Sequence, residues 1–420
     1  MSLDATELGR RIRKIRENRG FTQQDLADLL GIARPAMVQI EAGNRSLDSV
    51  ELMKLSKELG FDPKDLFAEV FNEDQDSVTV LFRSDSEMAT NHQLNQAVSR
   101  WSVLCRQFTE LEKLVGADRK FISPAVYELV PPGNKWEAIQ QGNIIADYER
   151  GRLKLGTAPL PDLPEIIEGQ GVRVGRLPLE DCISGLFLAD DKNGLAILVN
   201  AEHSEQRQLF SCAHEYGHLL FDRKEKATIS RRAEREKLNE IRANSFAASL
   251  LLPEEGVREF LMRVGKSRDL FQVQEIYDEE GESVRAQRRS AAEPFSVQFY
   301  DVVHLAFYFG VSYESALWRL KSLKIISEEE REELSSREES AREFRTLLWR
   351  QSGRQERIQG GNFQHKLLML ALEAYRLGEI SKAKLREIGA TLEVPAHQID
   401  AFSRSSEPAE TAEGPLLPHY

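Results

Sequence analysis

The sequence predicts a mainly α-helical protein with one small β-sheet. Apolar residues recur every three to four positions over most of the chain, and only a few short segments have the β-branched character of strands. At 420 residues, the chain is too long for one hydrophobic core of ordinary size. Its hydrophobic share of 41% and charged share of 30% are those of a globular protein. We therefore expect several compact, largely helical domains.

Composition also excludes several classes of protein. No apolar run approaches the roughly 20 residues that span a bilayer, and the start Met1 to Glu7 lacks the basic and apolar parts of a signal peptide. A cytoplasmic protein with no membrane partner is expected. Three cysteines, far apart and odd in number, exclude a disulfide framework and a Cys-x-x-Cys metal knuckle. They are Cys105, Cys182 and Cys212.

Residues 1–68 are predicted to form a compact helical domain. Thr22 is a suitable N-cap for a helix over 23–30, Gly31 makes a turn, and a third helix follows over Arg34 to Glu41. The net charge of -12 means that any contact with nucleic acid must be local. One basic cluster places such a contact in this domain: Arg10, Arg11, Arg13, Lys14, Arg16 and Arg19.

Residues 69–134 are predicted as a linker, a strand and a helix that lead into the next domain. The linker is the acidic stretch 72–76, and Ser77 to Phe82 is assigned as a strand because β-branched residues dominate it. Further helices are expected at about 92–116, 134–154, 163–169, 206–221 and 232–251. Three strands are expected at 171–174, 185–189 and 195–199, with a hairpin turn over 190–194.

The run His214-Glu215-Tyr216-Gly217-His218 is the strongest chemical signal in the chain. Two histidines four residues apart project from one face of a helix and can share one ion. Zn²⁺ accepts two nitrogen ligands and a carboxylate and keeps its fourth position for water. The ion lowers the pKa of that water and Glu215 can accept its proton, so peptide hydrolysis is the natural reaction.

The alternative to a metal site is a chance match on a surface helix, for which composition alone gives roughly a one-in-a-hundred expectation. Apolar and small neighbours such as Phe210 and Leu220 favour a buried helix that carries a site. A catalytic zinc also needs a third protein ligand. Glu234, Glu236 and Glu240 all compete for that role, because spacing alone does not choose among them.

The segments Phe210 to Leu220 and Glu240 to Pro253 resemble the ImmA/IrrE family of metallopeptidases, and the resemblance extends over roughly residues 135–265. It implies a zincin-like α+β core, Zn²⁺ as the cofactor, and helix-turn-helix repressors as the substrate class. In that family the glutamate three residues before Ala-Asn is the third zinc ligand, which implies Glu240 beside His214 and His218. Tyr216 and Gly217 fill the variable positions of the motif, so this departure is expected to matter little.

The N-terminal domain resembles the Xre, or phage-repressor, family of helix-turn-helix domains. The resemblance rests on Thr22 to Ala27, on Gly31-Ile32 and on Gln39 to Arg45, and it covers nearly all of residues 6–67. It implies that the third helix enters the major groove of DNA.

The expected DNA contacts follow from that placement. Arg34 and Gln39 would reach base edges, whereas Gln24, Asn44 and Arg45 would hold phosphates. Pro35 departs from an ordinary helix and is tolerable only in the first turn. The alternative is a helical domain that serves only for docking or oligomerisation on protein.

Residues 266–403 are predicted as a C-terminal helical region, with helices within 294–324 and 340–403. The stretch Phe309 to Leu320 resembles the C-terminal part of fused members of the same peptidase family, which implies a structural role. Its aromatic residues are expected in the core and not in a ligand site. These are Phe307, Tyr308 and Trp318. Residues 404–420, rich in Pro, Glu, Ala and Thr, are expected to be disordered.

The cysteines allow one regulatory hypothesis. Cys212 lies two residues before His214 and would point away from the metal, so a buried apolar role is expected. Cys105 or Cys182 could cap the open zinc position as a removable thiolate. The competing interpretation is that both are inert cysteines, which are common.

The leading hypothesis is a DNA-binding regulatory zinc protease that cleaves a helix-turn-helix repressor, or its own linker at residues 68–76. The substrate would add as a strand beside a sheet edge such as Ala196 to Asn200. The alternative is a transcription factor with a structural or sensory zinc that cuts no bond. Glu215 favours catalysis, because a structural site needs no general base. A toxin or antitoxin component is a third hypothesis, and a homodimer is expected by analogy alone.

Overall fold

The computed structural model describes residues 4–61, 63–69, 71, 77–84, 91–116, 123–191, 193–266, 275–277, 283–285, 296–352 and 363–405. Helices dominate these residues, and a four-stranded mixed sheet lies near the middle of the chain. This architecture confirms the predicted fold class. No helix within the described ranges is long and apolar enough to cross a membrane.

Five short helices form the N-terminal domain: α1 (Ala5–Asn18), α2 (Gln23–Leu30), α3 (Arg34–Glu41), α4 (Ser49–Leu59) and α5 (Pro63–Phe67). They enclose a core of their own, in which Ile12, Leu26 and Met37 are fully buried. Thr22 caps α2 and Pro35 lies in the first turn of α3, as predicted.

The predicted strand over Ser77 to Phe82 is wrong, because this segment belongs to a helix. The helix is α6 (Ser77–Ser84), and α7 (His92–Leu114) follows it. Val78 and Leu81, three residues apart, are both buried against the sheet, and the backbone amide of Ser77 donates to Asp190 at 2.8 Å. Packing of this one helical face overrides the β-propensity of the segment.

Four strands form the central sheet: β1 (Val172–Leu177), β2 (Ile183–Asp190), β3 (Gly194–Asn200) and β4 (Ala227–Arg231). Their order is β1-β3-β2-β4, with β1 parallel to β3 and the other pairs antiparallel. The three predicted strands are confirmed, and β4 was missed. The prediction that residues 196–200 form an edge is wrong, since β1 takes the open side of β3 and leaves β1 and β4 as the edges.

Helices cover both faces of this sheet. On one face lie α8 (Lys135–Arg152), α9 (Leu163–Glu168), α10 (Glu205–Phe221), α11 (Leu238–Leu251) and α12 (Glu254–Arg263). Phe187 and Ile197 point to this face, whereas their neighbours Leu186 and Leu198 point to the face that α6 and α7 cover. Short 3-10 turns at Arg223–Glu225 and Arg232–Glu234 flank β4.

The C-terminal region divides between the two faces. It contains β5 (Glu275–Tyr277), β6 (Ser283–Arg285), α13 (Phe299–Phe309), α14 (Tyr313–Ser322), α15 (Glu328–Ser336), α16 (Glu338–Ser352), α17 (Phe363–Arg376), α18 (Lys382–Thr391) and α19 (Ala396–Ser405). Helices α13 to α15 add to the core beside α10, and α17 to α19 add to the core beside α7. The prediction that Trp318 lies in the core is wrong: it is 46% exposed at the surface, where the cations of Lys321 and Arg331 lie over its ring. The predicted disorder after residue 405 falls outside the described residues.

The N-terminal domain packs directly against α6 and α7. Arg19 is completely buried at this contact, where its Nε donates to the Leu59 carbonyl at 3.1 Å and its Nη1 to Thr79 Oγ1 at 2.6 Å. Asn95 of α7 donates to the Arg19 carbonyl at 3.5 Å. A cation held this way fixes the domain to the layer of helices that covers the sheet.

Candidate metal centre

Helix α10 positions the three polar residues of the motif. Ser204 caps its first turn by accepting from the amide of Arg207, and the helix is buried from Ser211 to Leu220. His214 and His218 lie one turn apart and project toward α11 and β4, and both are nearly or completely buried. Helical spacing and burial thus hold both imidazoles in one place.

Glu240 of α11 completes a cluster with the two histidines. Its carboxylate oxygens lie 3.2 Å from His214 Nε2 and 3.3 Å from His218 Nε2, and the two Nε2 atoms are 3.1 Å apart. A tetrahedral zinc with bonds of about 2.0 to 2.1 Å separates its ligand atoms by about 3.3 to 3.4 Å. The three donor atoms therefore have close to the spacing that such an ion requires.

Polar partners behind the cluster aim both nitrogens at its centre. His214 Nδ1 donates to Asn244 Oδ1 at 3.0 Å, and His218 Nδ1 donates to Asp222 at 2.8 Å. Each Nε2 atom then directs a lone pair at the other Nε2 atom and at the Glu240 carboxylate. These groups repel one another unless a cation or a proton lies between them. Arg242 donates to the other oxygen of Asp222 at 2.5 Å and so holds it in place.

Burial and hydrogen bonding act in opposite directions on the pKa values of the cluster. At His218, burial lowers the pKa, but the bonds to Asp222 and Glu240 outweigh it and raise the pKa to about 10. At Glu240, burial raises the pKa, but the bonds with His214 and His218 outweigh it and hold the pKa far below its usual range. At Glu215, burial dominates and raises the pKa.

Glu215 lies beside the cluster and against the sheet. It is completely buried, and neither carboxylate oxygen has a well-formed hydrogen bond within the described part of the chain. Gly185 of β2 makes the room for it, since a Cβ there would lie 3.0 Å from Glu215 Cγ and 2.8 Å from the Leu198 carbonyl. A buried carboxylate whose hydrogen bonding is this incomplete is costly, which is typical of a group with a catalytic role.

Tyr216 and Gly217 do more than fill variable positions of the motif. The Tyr216 hydroxyl is buried and donates to Glu149 of α8 at 2.8 Å. A Cβ on Gly217 would lie 2.8 Å from Phe246 Cδ1 of α11. The two residues therefore determine how closely α10 packs against its neighbours.

The two competing glutamates lie elsewhere. Glu236 is bound to Lys135 at 2.5 Å with 70% of its side chain exposed, and Glu234 is bound to Lys237 at 2.8 Å. Of the three candidates within the described residues, Glu240 is the one that meets both histidines.

The cysteines give little support to a thiolate switch. Cys105 lies in α7, on the opposite face of the sheet from α10, so the structure excludes it as a cap for the cluster. Burial raises the pKa of Cys105 and of Cys212 to about 12, which keeps both thiols protonated. Cys182 is exposed just before β2, where its thiol donates to Glu180 at 3.6 Å.

Sequence reasoning missed four residues around the cluster. Asn244 and Asp222 carry weak signals, since one follows Glu240 by a helical turn and the other follows His218 by four residues. Arg242 and Ser230 carry none. Ser230 lies in β4, which was not predicted, and its Oγ is 3.1 Å from His214 Nε2.

The residues predicted to contact DNA lie on the surface of the N-terminal domain. Arg34, Gln39 and Asn44 are exposed. Gln24 is also exposed and donates to Asp28 at 2.7 Å. Arg45 is half-buried and bound to Glu51 at 2.6 Å, so a phosphate contact there would have to share the guanidinium with Glu51.

Comparison with protein families agrees with both parts of this description. Residues 167–321 match the M78 peptidase family model described as an IrrE N-terminal-like domain. Residues 9–70 match a helix-turn-helix domain model. A search of curated proteins found no match. The chain thus joins an Xre-like helix-turn-helix domain to an ImmA/IrrE-like metallopeptidase domain, as the resemblances implied.

Proposed function

We propose that this protein is a DNA-binding regulatory zinc metallopeptidase that cleaves a helix-turn-helix repressor, or its own linker, to control transcription. His214, His218 and Glu240 hold the ion, and Glu215 is the general base. The observation that carries the proposal is the convergence of three buried donor atoms within 4.8 Å, beside the buried carboxylate of Glu215, which has no well-formed hydrogen bond to the described residues.

The donor set suits zinc. Two imidazole nitrogens and one carboxylate are a common catalytic zinc set that leaves one position open. The ion would supply Lewis acidity, which lowers the pKa of water and polarises a peptide carbonyl. Glu240, with its pKa held far below the usual range, stays ionised as a ligand, whereas the raised pKa of Glu215 suits a group that accepts and returns a proton.

The rest of the site orients these groups. Asn244 and Asp222 fix the ring orientation of the two histidines through their Nδ1 atoms. Leu198 and Gly185 enclose Glu215 from the side of the sheet. The close walls exclude bulk water from the base, which strengthens electrostatic interactions within the site.

The substrate would bind as an extended segment along the edge strand β4. This strand pairs with β2 alone in the central sheet and carries Ser230 at the metal centre. An added strand there would bring a peptide bond next to Ser230 through main-chain hydrogen bonds. The linker at 68–76 is one candidate segment, and an exposed linker of a separate repressor is the other.

DNA binding through α3 is compatible with the packing of the N-terminal domain against α6 and α7. The N-terminal domain contacts α6 and α7 through the end of α1 and through helix α4, whereas Arg34 and Gln39 of α3 face solvent. A major groove could therefore receive α3 while this contact persists. Homodimer formation remains part of the proposal, since two half-sites are usual for such domains.

One observation favours the alternative of a structural or sensory zinc. His218 is 0% exposed and Glu240 3% exposed, so the cluster is as closed as a structural site. Glu215 argues for catalysis, because a structural site has no use for a buried base next to its ligands.

The test separates metal binding from cleavage. Purified protein should contain about one zinc per chain, and His214→Ala with His218→Ala should lose it. Glu215→Gln should keep zinc and DNA affinity but yield no fragments from candidate repressors or from the chain itself, followed by mass spectrometry. Identical fragments from both proteins would exclude Glu215 as the base. If neither protein cuts while both repress a reporter, the transcription-factor alternative holds.

A further inference from the structure

Ser230 links the edge strand to the metal centre. It is 3% exposed, and its Oγ lies 3.1 Å from His214 Nε2, the same nitrogen that faces Glu240 and His218. Because Asn244 accepts the proton of His214 Nδ1, Nε2 carries a lone pair and the Ser230 hydroxyl is its donor.

That lone pair can accept from the Ser230 hydroxyl, accept from the N–H of His218 that lies 3.1 Å away, or bind a metal ion. Metal binding excludes both hydrogen bonds, because each uses the same orbital. An ion on His214 therefore obliges the hydroxyl to find a new acceptor. A buried hydroxyl left without one would cost about 1 to 3 kcal/mol.

The carboxylate of Glu215 is in the right position to be the new acceptor for the Ser230 hydroxyl. In the sheet register, Ser230 stands directly opposite Gly185, and Gly185 is the residue whose missing side chain makes room for Glu215. The hydroxyl and the carboxylate thus border the same gap. Neither oxygen of Glu215 has a well-formed hydrogen bond to a described residue, but the Ser230 hydroxyl is already close enough to lower the pKa of this carboxyl, against the larger effect of burial, which raises it.

We propose that Ser230 is a positioning residue whose hydroxyl moves from His214 to Glu215 when the metal ion binds. This inference rests on the proposed function, since it assigns Ser230 to the same centre. The exchange replaces a neutral hydrogen bond by a charge-assisted one, which is the stronger kind. Metal loading then stabilises the orientation of the general base, and the base in turn strengthens metal binding.

The experiment measures zinc affinity by competition with a chromophoric chelator in four proteins: wild type, Ser230→Ala, Glu215→Gln and the double variant. Ser230→Ala should weaken zinc binding roughly 5- to 10-fold, because the lost charge-assisted bond exceeds the lost neutral one by about 1 kcal/mol. In the Glu215→Gln background the same substitution should change affinity less than about twofold. Ser230→Thr, which keeps the hydroxyl, should restore the wild-type affinity.

Thr228→Ala is the matched control. Thr228 lies on the same strand two residues away, and its hydroxyl donates to Glu225 at 3.1 Å instead of the metal centre. Its removal should leave zinc affinity unchanged.

Each other result overturns the inference. Equal weakening in both backgrounds would mean that the hydroxyl acts on the ion and not on Glu215. Tighter or unchanged binding in Ser230→Ala would mean that the hydroxyl only caps His214. A wild-type protein that binds no zinc at all would instead refute the proposed function.

Discussion

At the scale of single residues, His218 has both ring nitrogens engaged. Asp222 meets Nδ1, and Glu240 with His214 meets Nε2. These anionic neighbours raise the pKa of His218 to about 10, so in the absence of metal the ring is protonated at neutral pH. An ion must displace that proton to reach Nε2.

We therefore expect zinc binding to release about one proton near pH 7 and to weaken as pH falls. The sign follows from the raised pKa: below about 10 the proton competes with the ion, and each pH unit lost costs up to about tenfold in affinity. Calorimetry in two buffers of different ionisation enthalpy measures the released proton. The Asp222→Asn variant should release less than one proton when zinc binds. Zinc binding without proton release would contradict the protonated state assigned to His218.

Arg34 is the residue we expect to discriminate among DNA sequences. It is exposed in the first turn of α3, where a recognition helix offers side chains to base edges. Arg34→Ala should weaken binding at the cognate site by about 1 to 3 kcal/mol and much less on unrelated DNA. Fluorescence anisotropy on both duplexes measures the difference. Equal weakening on both would make Arg34 a phosphate contact.

At the scale of elements, the packing of α10 against α11 holds the histidines and Glu240 together. Phe246 of α11 lies against Gly217 so closely that an added Cβ would be 2.8 Å from its ring. Helices at this separation tolerate no larger residue at the contact. The distance between His218 and Glu240 thus depends on Gly217, which is not one of the proposed metal ligands.

Gly217→Ala should lower the free energy of unfolding by about 1 to 3 kcal/mol and weaken zinc binding, because α10 and α11 must move apart. Gly151→Ala is the control: Gly151 lies in α8 with nothing within 4 Å of an added Cβ. That change should be neutral or stabilise by up to about 1 kcal/mol, since alanine is the better helix former. Urea denaturation compares the two, and similar effects would show that the contact is not tight.

At the scale of the whole molecule, the two domains meet through buried polar contacts. Arg19, Leu59 and Thr79 form the centre of this contact, and α6 packs in turn on β4. The N-terminal domain, the edge strand β4 and the cluster of His214, His218 and Glu240 are therefore connected by successive packed elements. Such a series of contacts can couple the two domains only if one of its elements adopts two alternative conformations.

Arg19→Ala should loosen this contact without unfolding either core. Loss of two hydrogen bonds from a buried cation should lower the free energy of unfolding by about 2 to 3 kcal/mol and separate one thermal transition into two. Arg13→Ala is the control, because Arg13 is 61% exposed and forms an ion pair with its helix neighbour Glu17. It should change stability by less than about 0.5 kcal/mol. A single transition in both variants would show that the domains do not depend on Arg19.

The local features of this protein followed from the sequence because they depend on neighbours along the chain. The helix spacing of His214 and His218, the cap at Thr22 and the turn at Gly31 are all short-range properties. Family resemblance added Glu240, which spacing alone left in competition with two other glutamates. The hairpin of β2 and β3 was predicted for the same local reason.

The tertiary structure decided what depends on residues far apart in sequence. It turned Ser77–Ser84 into a helix, because burial of one face outweighed β-propensity. It placed β4 at the edge and β3 inside the sheet, because strand order depends on long-range pairing and not on the pattern of any one strand. It also brought Ser230 to His214 from another element, a proximity that no local pattern in the chain contains.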